Sequence, residues 1–365
     1  MQREIERTKE KGPELDIYDL NYKWMMERTK ERKEGKVIIR GEEVPWKQSR
    51  HGYGKQYMNG MNWHEMSVPG WMISVTNQQV IGRGMHTHKG GGRMLYILDG
   101  RGYTVNNDVR LEWERGDLEI LPCTRFENAH AHVNLEPGKP CGMFVIGYWP
   151  FMGIVAYETR QMTDSPDWKG PRNEEVYRPA DFVPEEAYVK GYDIKVGRKP
   201  ADLLDDLFLR RNQWRDRMDK ARWVVKEKDQ AQETNRMGIY RWYTHPSFAD
   251  VAARHILFWT HEIPAGSRSG VQKHQGGRLQ YVVEGRGHSI LDGKRYDWEP
   301  GDLLMLPIKT GGVQVQHFND GDTAVRLACC EPNFYDILGM DMAAGFEQIE
   351  DCPEYKALTA KKAKA

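Results

Sequence analysis

Two stretches of the chain are copies of one another. GGRMLYILDGRGYTVNNDVRLEWERGDLEILP at 91–122 lies over GGRLQYVVEGRGHSILDGKRYDWEPGDLLMLP at 276–307 without a gap. Arg93 and Arg278, Gly100 and Gly285, Trp113 and Trp298, Pro122 and Pro307, and Asn134 and Asn319 all differ by 185. A constant offset over more than forty residues means two copies of one structural unit, which confines the 365 residues to a duplicated architecture. Looser similarity runs upstream, where Trp24 and Trp214 sit in charged stretches and RHGYGK at 50–55 parallels RMGIYR at 236–241.

Within each copy the pattern is that of short strands. MLYILDGRGYTV alternates and is broken at Asp99-Gly100-Arg101-Gly102, and DLEILP follows the turn Glu114-Arg115-Gly116. Strands punctuated by glycine turns at close spacing predict a sandwich or barrel. Ahead of the second copy, Leu203, Leu204, Leu207, Trp214 and Met218 have near-helical spacing within 201–228. The expected organisation is therefore a helical lead-in plus β unit at 1–150, an irregular linker at 151–200, a second lead-in plus β unit at 201–345, and a C-terminal tail at 346–365 whose last stretch, KALTAKKAKA, is frayed and solvated. The linker expectation rests on 155–200, which is rich in Pro, Asp, Glu and Lys and lacks a sustained period.

Charge and cysteine content narrow the function classes. Lys plus Arg and Asp plus Glu each total 53, so no global field favours nucleic acid or an anionic membrane. No apolar run approaches the ~20 residues of a membrane helix, and the start MQREIERTKEKGPELD lacks a signal-peptide core. Five scattered cysteines, with only Cys329 and Cys330 adjacent, suggest reduced thiols and a cytoplasmic protein. The Cys329-Cys330 pair is expected to be buried and inert.

The chemistry-bearing residues cluster in the first copy. His86-Thr87-His88 places two imidazoles on alternate positions of an expected strand, and His130-Ala131-His132 does the same in a later hairpin. Two such pairs in a small barrel can aim three or four imidazoles at one point, a set suited to Fe(II), Mn(II), Ni(II) or Zn(II). Gln272-Lys273-His274 and Val315 stand at these places in the second copy, where only His274 and His317 remain, so a structural barrel is expected there. The isolated His51, His64, His245, His255, His261 and His288 are assigned no role.

Together these motifs resemble the two cupin motifs. His86-x-His88 followed by Tyr-Ile-Leu-Asp-Gly-Arg-Gly resembles the first, and Gly116-x5-Pro122 with His130-x3-Asn134 the second. The duplicated form resembles a bicupin over roughly 70–150 and 250–335, implying an all-β core of two jelly-roll barrels with helical lead-ins. Where the usual cupin carries a glutamate ligand, this chain has Arg93, and Arg278 in the repeat. A cation does not ligate a metal, and His130-Ala131-His132-Val133-Asn134 is similar to the His-x-His-x-Asn of the three-histidine gentisate, salicylate and 1-hydroxy-2-naphthoate dioxygenases.

That resemblance implies Fe(II), or Mn(II) or another divalent ion, on His86, His88 and His130. His132 would lie beside the substrate as acid/base. The loop from Pro122 to His130 is three residues longer than the general motif, so His130 and His132 both stay eligible as the third ligand. Arg93 shares a face with Leu95 and Ile97, and an inward arginine needs an anionic partner, which a substrate carboxylate or phenolate supplies. Tyr103 and Trp149 are candidates to flank an aromatic ligand. The expectation is a cytoplasmic homo-oligomer that opens the ring of a hydroxylated aromatic acid with O2. A non-oxidative decarboxylase or isomerase and a non-catalytic binding bicupin are the alternatives.

Overall fold

The computed structural model describes residues 16–77, 84–89, 92–121, 128–150, 158–177, 195–333 and 346–364, less the side chains of Ile17, His88, Lys89 and Glu158. The first half contributes β1 (Ile38–Ile39), β2 (Lys47–Ser49), β3 (Gly52–Met58), β4 (Trp71–Asn77), β5 (His86–Lys89), β6 (Arg93–Ile97), β7 (Arg101–Asn106), β8 (Val109–Glu114), β9 (Leu118–Leu121), β10 (Ala129–Asn134), β11 (Gly142–Tyr148) and β12 (Glu158–Gln161). The second contributes β13 (Val224–Val225), β14 (Gln232–Asn235), β15 (Gly238–Thr244), β16 (Ile256–Ile263), β17 (Val271–His274), β18 (Leu279–Glu284), β19 (Gly287–Leu291), β20 (Lys294–Trp298), β21 (Leu303–Met305), β22 (Val313–Asn319), β23 (Val325–Pro332) and β24 (Phe346–Glu350).

Each half closes a sheet of seven strands against one of five. The first pairs β13-β9-β6-β11-β4-β3-β2 with β12-β5-β10-β7-β8, and the second pairs β1-β21-β18-β23-β16-β15-β14 with β20-β19-β22-β17-β24. This is the all-β, two-barrel architecture that the glycine-punctuated alternation predicts. The glycines have definite work at the β6–β7 corner. Gly100 turns the chain at φ +81°, and a Cβ on Gly102 would sit 2.2 Å from the Trp113 ring. Gly285 and Gly287 repeat the arrangement around Trp298.

The two lead-ins cross over. β1 precedes the first barrel but extends the large sheet of the second, and β13 extends that of the first. Arg40 reaches Asp302 at 2.7 Å while Lys226 reaches Asp117 at 2.7 Å. Tyr57 Oη donates to Gly301 O at 2.7 Å, and Tyr243 Oη to Gly116 O at 2.6 Å. Between the barrels one apolar cluster joins Tyr96 and Phe144 of the first half with Phe258 and Tyr281 of the second. Each half therefore completes the other through backbone ladders, buried ion pairs and a shared core.

Two expectations need correction. The linker is not irregular throughout: β12 pairs with β5, and α2 (Glu174–Tyr177) follows it. The tail is ordered as β24, paired with β17, and α4 (Pro353–Lys362), capped by the buried Cys352. Both segments are held by backbone hydrogen bonds to an existing sheet edge, which polar sequences such as ETRQ and FEQIE satisfy without an apolar period. In the lead-ins, α1 (Ile17–Glu34) and α3 (Leu203–Asp219) are helices, with Asp16 and Asp202 as side-chain N-caps. The apolar row of α3 does not face a core, however, since Leu203, Leu204, Leu207 and Trp214 are exposed.

Candidate metal centre and binding cavity

Strands β5 and β10 run antiparallel with His130 directly opposite His86. Both rings are buried, and their centroids lie 4.3 Å apart. The nitrogen Nδ1 of His86 contacts Gly84 O at 2.9 Å, and Nδ1 of His130 contacts Asn128 O at 2.7 Å. A carbonyl oxygen only accepts, so each ring carries its proton on Nδ1 and keeps the Nε2 lone pair for another use. Burial holds the His130 imidazolium form well below the usual histidine range, helped by the neighbouring His132, Arg93 and His51 charges. Neutral imidazole with a fixed tautomer is the donor that a divalent metal requires.

His88 follows two positions after His86 on β5; its side chain lies outside the described residues. The antiparallel register runs from His86 toward His88 as it runs from His130 back toward Asn128. It therefore carries His132 away from His88.

His132 has different surroundings. Its Nδ1 lies 2.7 Å from Thr104 Oγ1 on β7, and Trp113 Nε1 donates to the same hydroxyl at 3.0 Å. Oε2 of Glu119, a fully buried carboxylate on β9, is 3.3 Å from that nitrogen. Nε2 of His132 is buried without a hydrogen-bond partner among the described residues.

A cavity of about 430 Å³ opens onto this group. His86, His130, His132 and Arg93 line it together with His51, Lys47 and Lys55 from the β2–β3 hairpin, and Leu95, Leu121 and Val145 form its apolar wall. Among the described lining residues there is no Asp or Glu. The space falls in the range of small-molecule sites.

The structure thus gathers four of the expected site residues, His86, His130, His132 and Arg93, around one space. It does not bring Tyr103 or Trp149 there. Tyr103 alternates with the inward Thr104 and lies under the Arg110 guanidinium, 3.8 Å from its ring centroid, on the outer face. Trp149 packs beside Gly60 and donates its backbone N–H to Gly70 O at 2.8 Å. His51, assigned no role from the sequence, stacks on His86 at 3.9 Å and contacts Gln161 Oε1 at 2.6 Å. Glu119 was also missed, although one signal was present: DLEILP has a carboxylate where the repeat DLLMLP has Leu304.

The second barrel differs at each of these points. Register aligns Gln272 with His86 and Val315 with His130. The backbone N–H of Gly276 donates to Nδ1 of His274 at 3.0 Å, which puts the ring proton on Nε2, the reverse of His86 and His130. Gln280 covers Nε2 of His317 at 3.1 Å, and Arg278 is tied to Glu331 at 2.9 Å. Among the described residues, the one group of three or more His, Cys, Asp or Glu with ligand atoms within 4.8 Å of one another is His288, Asp297 and Asp320. Arg295 already bridges both of its carboxylates.

Comparison with known proteins agrees with this architecture. Residues 259–331 match the cupin domain family. An uncharacterized protein of Methanocaldococcus jannaschii is 30% identical over 69 residues, covering 19% of this chain and 53% of that protein. The chain thus matches about half the length of this curated relative. Bacillus subtilis oxalate decarboxylase superimposes on 86% of this chain and 80% of its own, with TM-score 0.55 and 12% identity. A salicylate 1,2-dioxygenase mutant from Pseudoaminobacter salicylatoxidans gives TM-score 0.48 and 16% identity over 77% of this chain and 75% of its own. At 12% identity the likeness to oxalate decarboxylase shows the fold alone: with the match at 259–331, the chain contains a cupin domain and is built as a bicupin. No described helix is long and apolar enough to cross a membrane.

Proposed function

We propose that the chain is a metal-dependent bicupin enzyme acting on a small organic anion, and specifically an Fe(II) ring-cleaving dioxygenase of a hydroxylated aromatic acid. The observation that carries this reading is the lining of the cavity. His86 and His130, each with its proton on Nδ1, line a space together with Arg93, Lys47 and Lys55, and no described lining residue is Asp or Glu. Histidines alone leave a divalent ion its full charge, and the cationic side chains of Arg93, Lys47 and Lys55 in the same lining suit an anionic ligand.

His86, His88 and His130 would hold the metal, with His130 preferred over His132 because the register sets it against His86. When bound, Fe(II) would supply the redox chemistry for ring opening with O2. Arg93 would clamp a carboxylate in bidentate fashion. The apolar wall of Leu95, Leu121 and Val145 would exclude water from one face of the ring. His132 would exchange a hydrogen bond or proton with a substrate hydroxyl through Nε2.

A second reading is non-oxidative decarboxylation or isomerisation with Mn(II) or another divalent ion. It is favoured by that same buried Nε2, an acceptor that would take the proton of the acid substrate and return it to carbon after CO2 leaves. Metal analysis with an oxygen-electrode screen of hydroxylated aromatic acids separates these readings. Oxygen uptake supports the dioxygenase, and anaerobic CO2 release or isomerised product supports the second reading. Protein that binds no metal with its histidines intact leaves only a binding role.

A further inference from the structure

The two barrels share one histidine frame and surround it differently. In both, a tryptophan N–H donates to a hydroxyl that contacts Nδ1 of a buried histidine. The series is Trp113, Thr104 and His132 in one barrel, and Trp298, Ser289 and His317 in the other, with hydroxyl-to-Nδ1 distances of 2.7 Å in each. Two differences surround this shared frame. Where the second barrel has the apolar Leu304, the first has Glu119, fully buried. Where the second has Gln280 covering Nε2 of His317, the first has Leu95, and Nε2 of His132, a residue of the cavity lining, is buried with no hydrogen-bond partner among the described residues.

Burying a carboxylate costs several kcal/mol unless it is paired, so this exchange works against the stability of the barrel. Neither oxygen of Glu119 has a hydrogen-bond partner among the described residues, and Oε2 lies 3.3 Å from Nδ1 of His132. The Thr104 hydroxyl can either donate to Nδ1 or accept from it. A carboxylate on the same side settles the choice, because an Nδ1 lone pair facing it would be repelled while an Nδ1–H would be attracted.

We propose that Glu119 is a positioning residue that holds His132 as the Nδ1–H tautomer, so that an unprotonated Nε2 faces the cavity and accepts a hydrogen bond from a substrate hydroxyl. This rests on the cavity being the active site. In the second barrel the carboxylate is absent and the Gln280 amide N–H donates to the equivalent nitrogen, so there the glutamine fixes the Nδ1–H tautomer and covers the nitrogen a substrate would need.

The test is ¹⁵N NMR of histidine ring nitrogens in the full chain, with and without Zn(II), with His132 assigned from the signal lost in His132→Asn. Wild type should show a protonated Nδ1 and an unprotonated Nε2 at His132. In Glu119→Leu, which installs the residue of the other barrel, the proton should move to Nε2 as Thr104 turns to donate; Glu119→Asp should restore the wild-type pattern. Zn(II) content should be unchanged in Glu119→Leu. Turnover of any hydroxylated acid that wild type accepts should fall about 10- to 100-fold in kcat with little change in KM. An Nε2–H tautomer in wild type, or the same tautomer in wild type and Glu119→Leu, overturns the proposal, and the wild-type spectrum decides even if a variant fails to fold. A tautomer shift in a chain that binds no Zn(II) and turns nothing over would uphold the role of Glu119 and sink the enzymatic reading.

Discussion

His130 stands directly across the β5–β10 ladder from His86, and each ring gives its Nδ1 proton to the carbonyl two residues before it. That symmetry has a simple origin. The accepting residues, Gly84 and Asn128, lie just before β5 and β10, outside the strands, where an imidazole can fold back on its own backbone. Two strands doing this in register set two Nδ1–H imidazoles beside one space. The backbone sets the tautomer before any ligand arrives, which lowers the ordering cost of binding.

His86→Ala and His130→Ala should therefore each give a folded protein that loses most of its bound metal, whereas His274→Ala should not change the metal-to-chain ratio. His274 carries its proton on Nε2 and faces no equivalent of His130. Elemental analysis of the purified variants checks this. Full occupancy in both first-barrel variants would remove the site assignment, and a ratio that falls in His274→Ala would place metal in the second barrel.

Arg93→Met keeps length and apolar packing while removing the cation from the cavity wall. Metal content should stay near wild type. For carboxylate substrates kcat/KM should drop by ~2–4 kcal/mol, mostly through KM, the range for breaking a desolvated charged pair. Neutral analogues should lose much less. Steady-state kinetics on acid and amide forms of one substrate make the comparison, and equal losses on both would mean that Arg93 serves the fold instead of the ligand.

The crossover of the lead-ins predicts that the halves unfold together. Asp302 is buried and accepts from Arg40 at 2.7 Å, Gly41 N at 2.9 Å and Glu299 N at 3.2 Å. Asp302→Ala strips the carboxylate from two backbone donors and a guanidinium, at an expected cost of about 2–4 kcal/mol. In chemical denaturation the variant should shift the midpoint of one shared transition. Two separated transitions, with only one displaced, would show that the barrels are independent.

How much of this was legible in the sequence depends on the range of the interaction. The repeat, the glycine corners and the His-x-His pairs were readable because each is written within a few neighbouring residues. Edge strands β12 and β24 were not, since a sheet edge accepts a polar segment through its backbone alone. Lys47, Lys55 and His51 reach the cavity only because β2–β3 packs beside β4, far along the sheet from β6. Tyr103 failed as a candidate for a local reason: it alternates with Thr104, and only one of the two can face inward. Glu119 was hidden because an acidic residue in a short alternating strand reads as solvent-facing, and only alignment with Leu304 marks it as odd.

The second barrel makes a pH-dependent demand on stability. His261, His274 and His317 are buried there around Arg278, which Glu331 pairs. Burial, with the nearby Arg278 charge, pushes His261 down to about 3. Burial first, then surrounding charge, holds His274 and His317 well below the usual histidine range. Unfolded, each should titrate near 6.5. Above that pH neither state binds the proton and the contribution to stability is fully present. Below it the unfolded chain takes up protons that the native barrel refuses, so stability falls as pH falls, by about 1.4 kcal/mol per pH unit for each histidine until its folded pKa is reached. Denaturant titrations from about pH 7.5 down to about 5 should show this loss steepening below 6.5, with these three histidines contributing roughly 4 kcal/mol per unit of the total slope. His261→Asn should remove one proton from the slope while leaving the high-pH limb otherwise parallel to wild type. If the variant and wild type lose stability at the same rate below pH 6.5, His261 is not held neutral by the fold, and the barrel tolerates the charge that its burial beside Arg278 is argued to exclude.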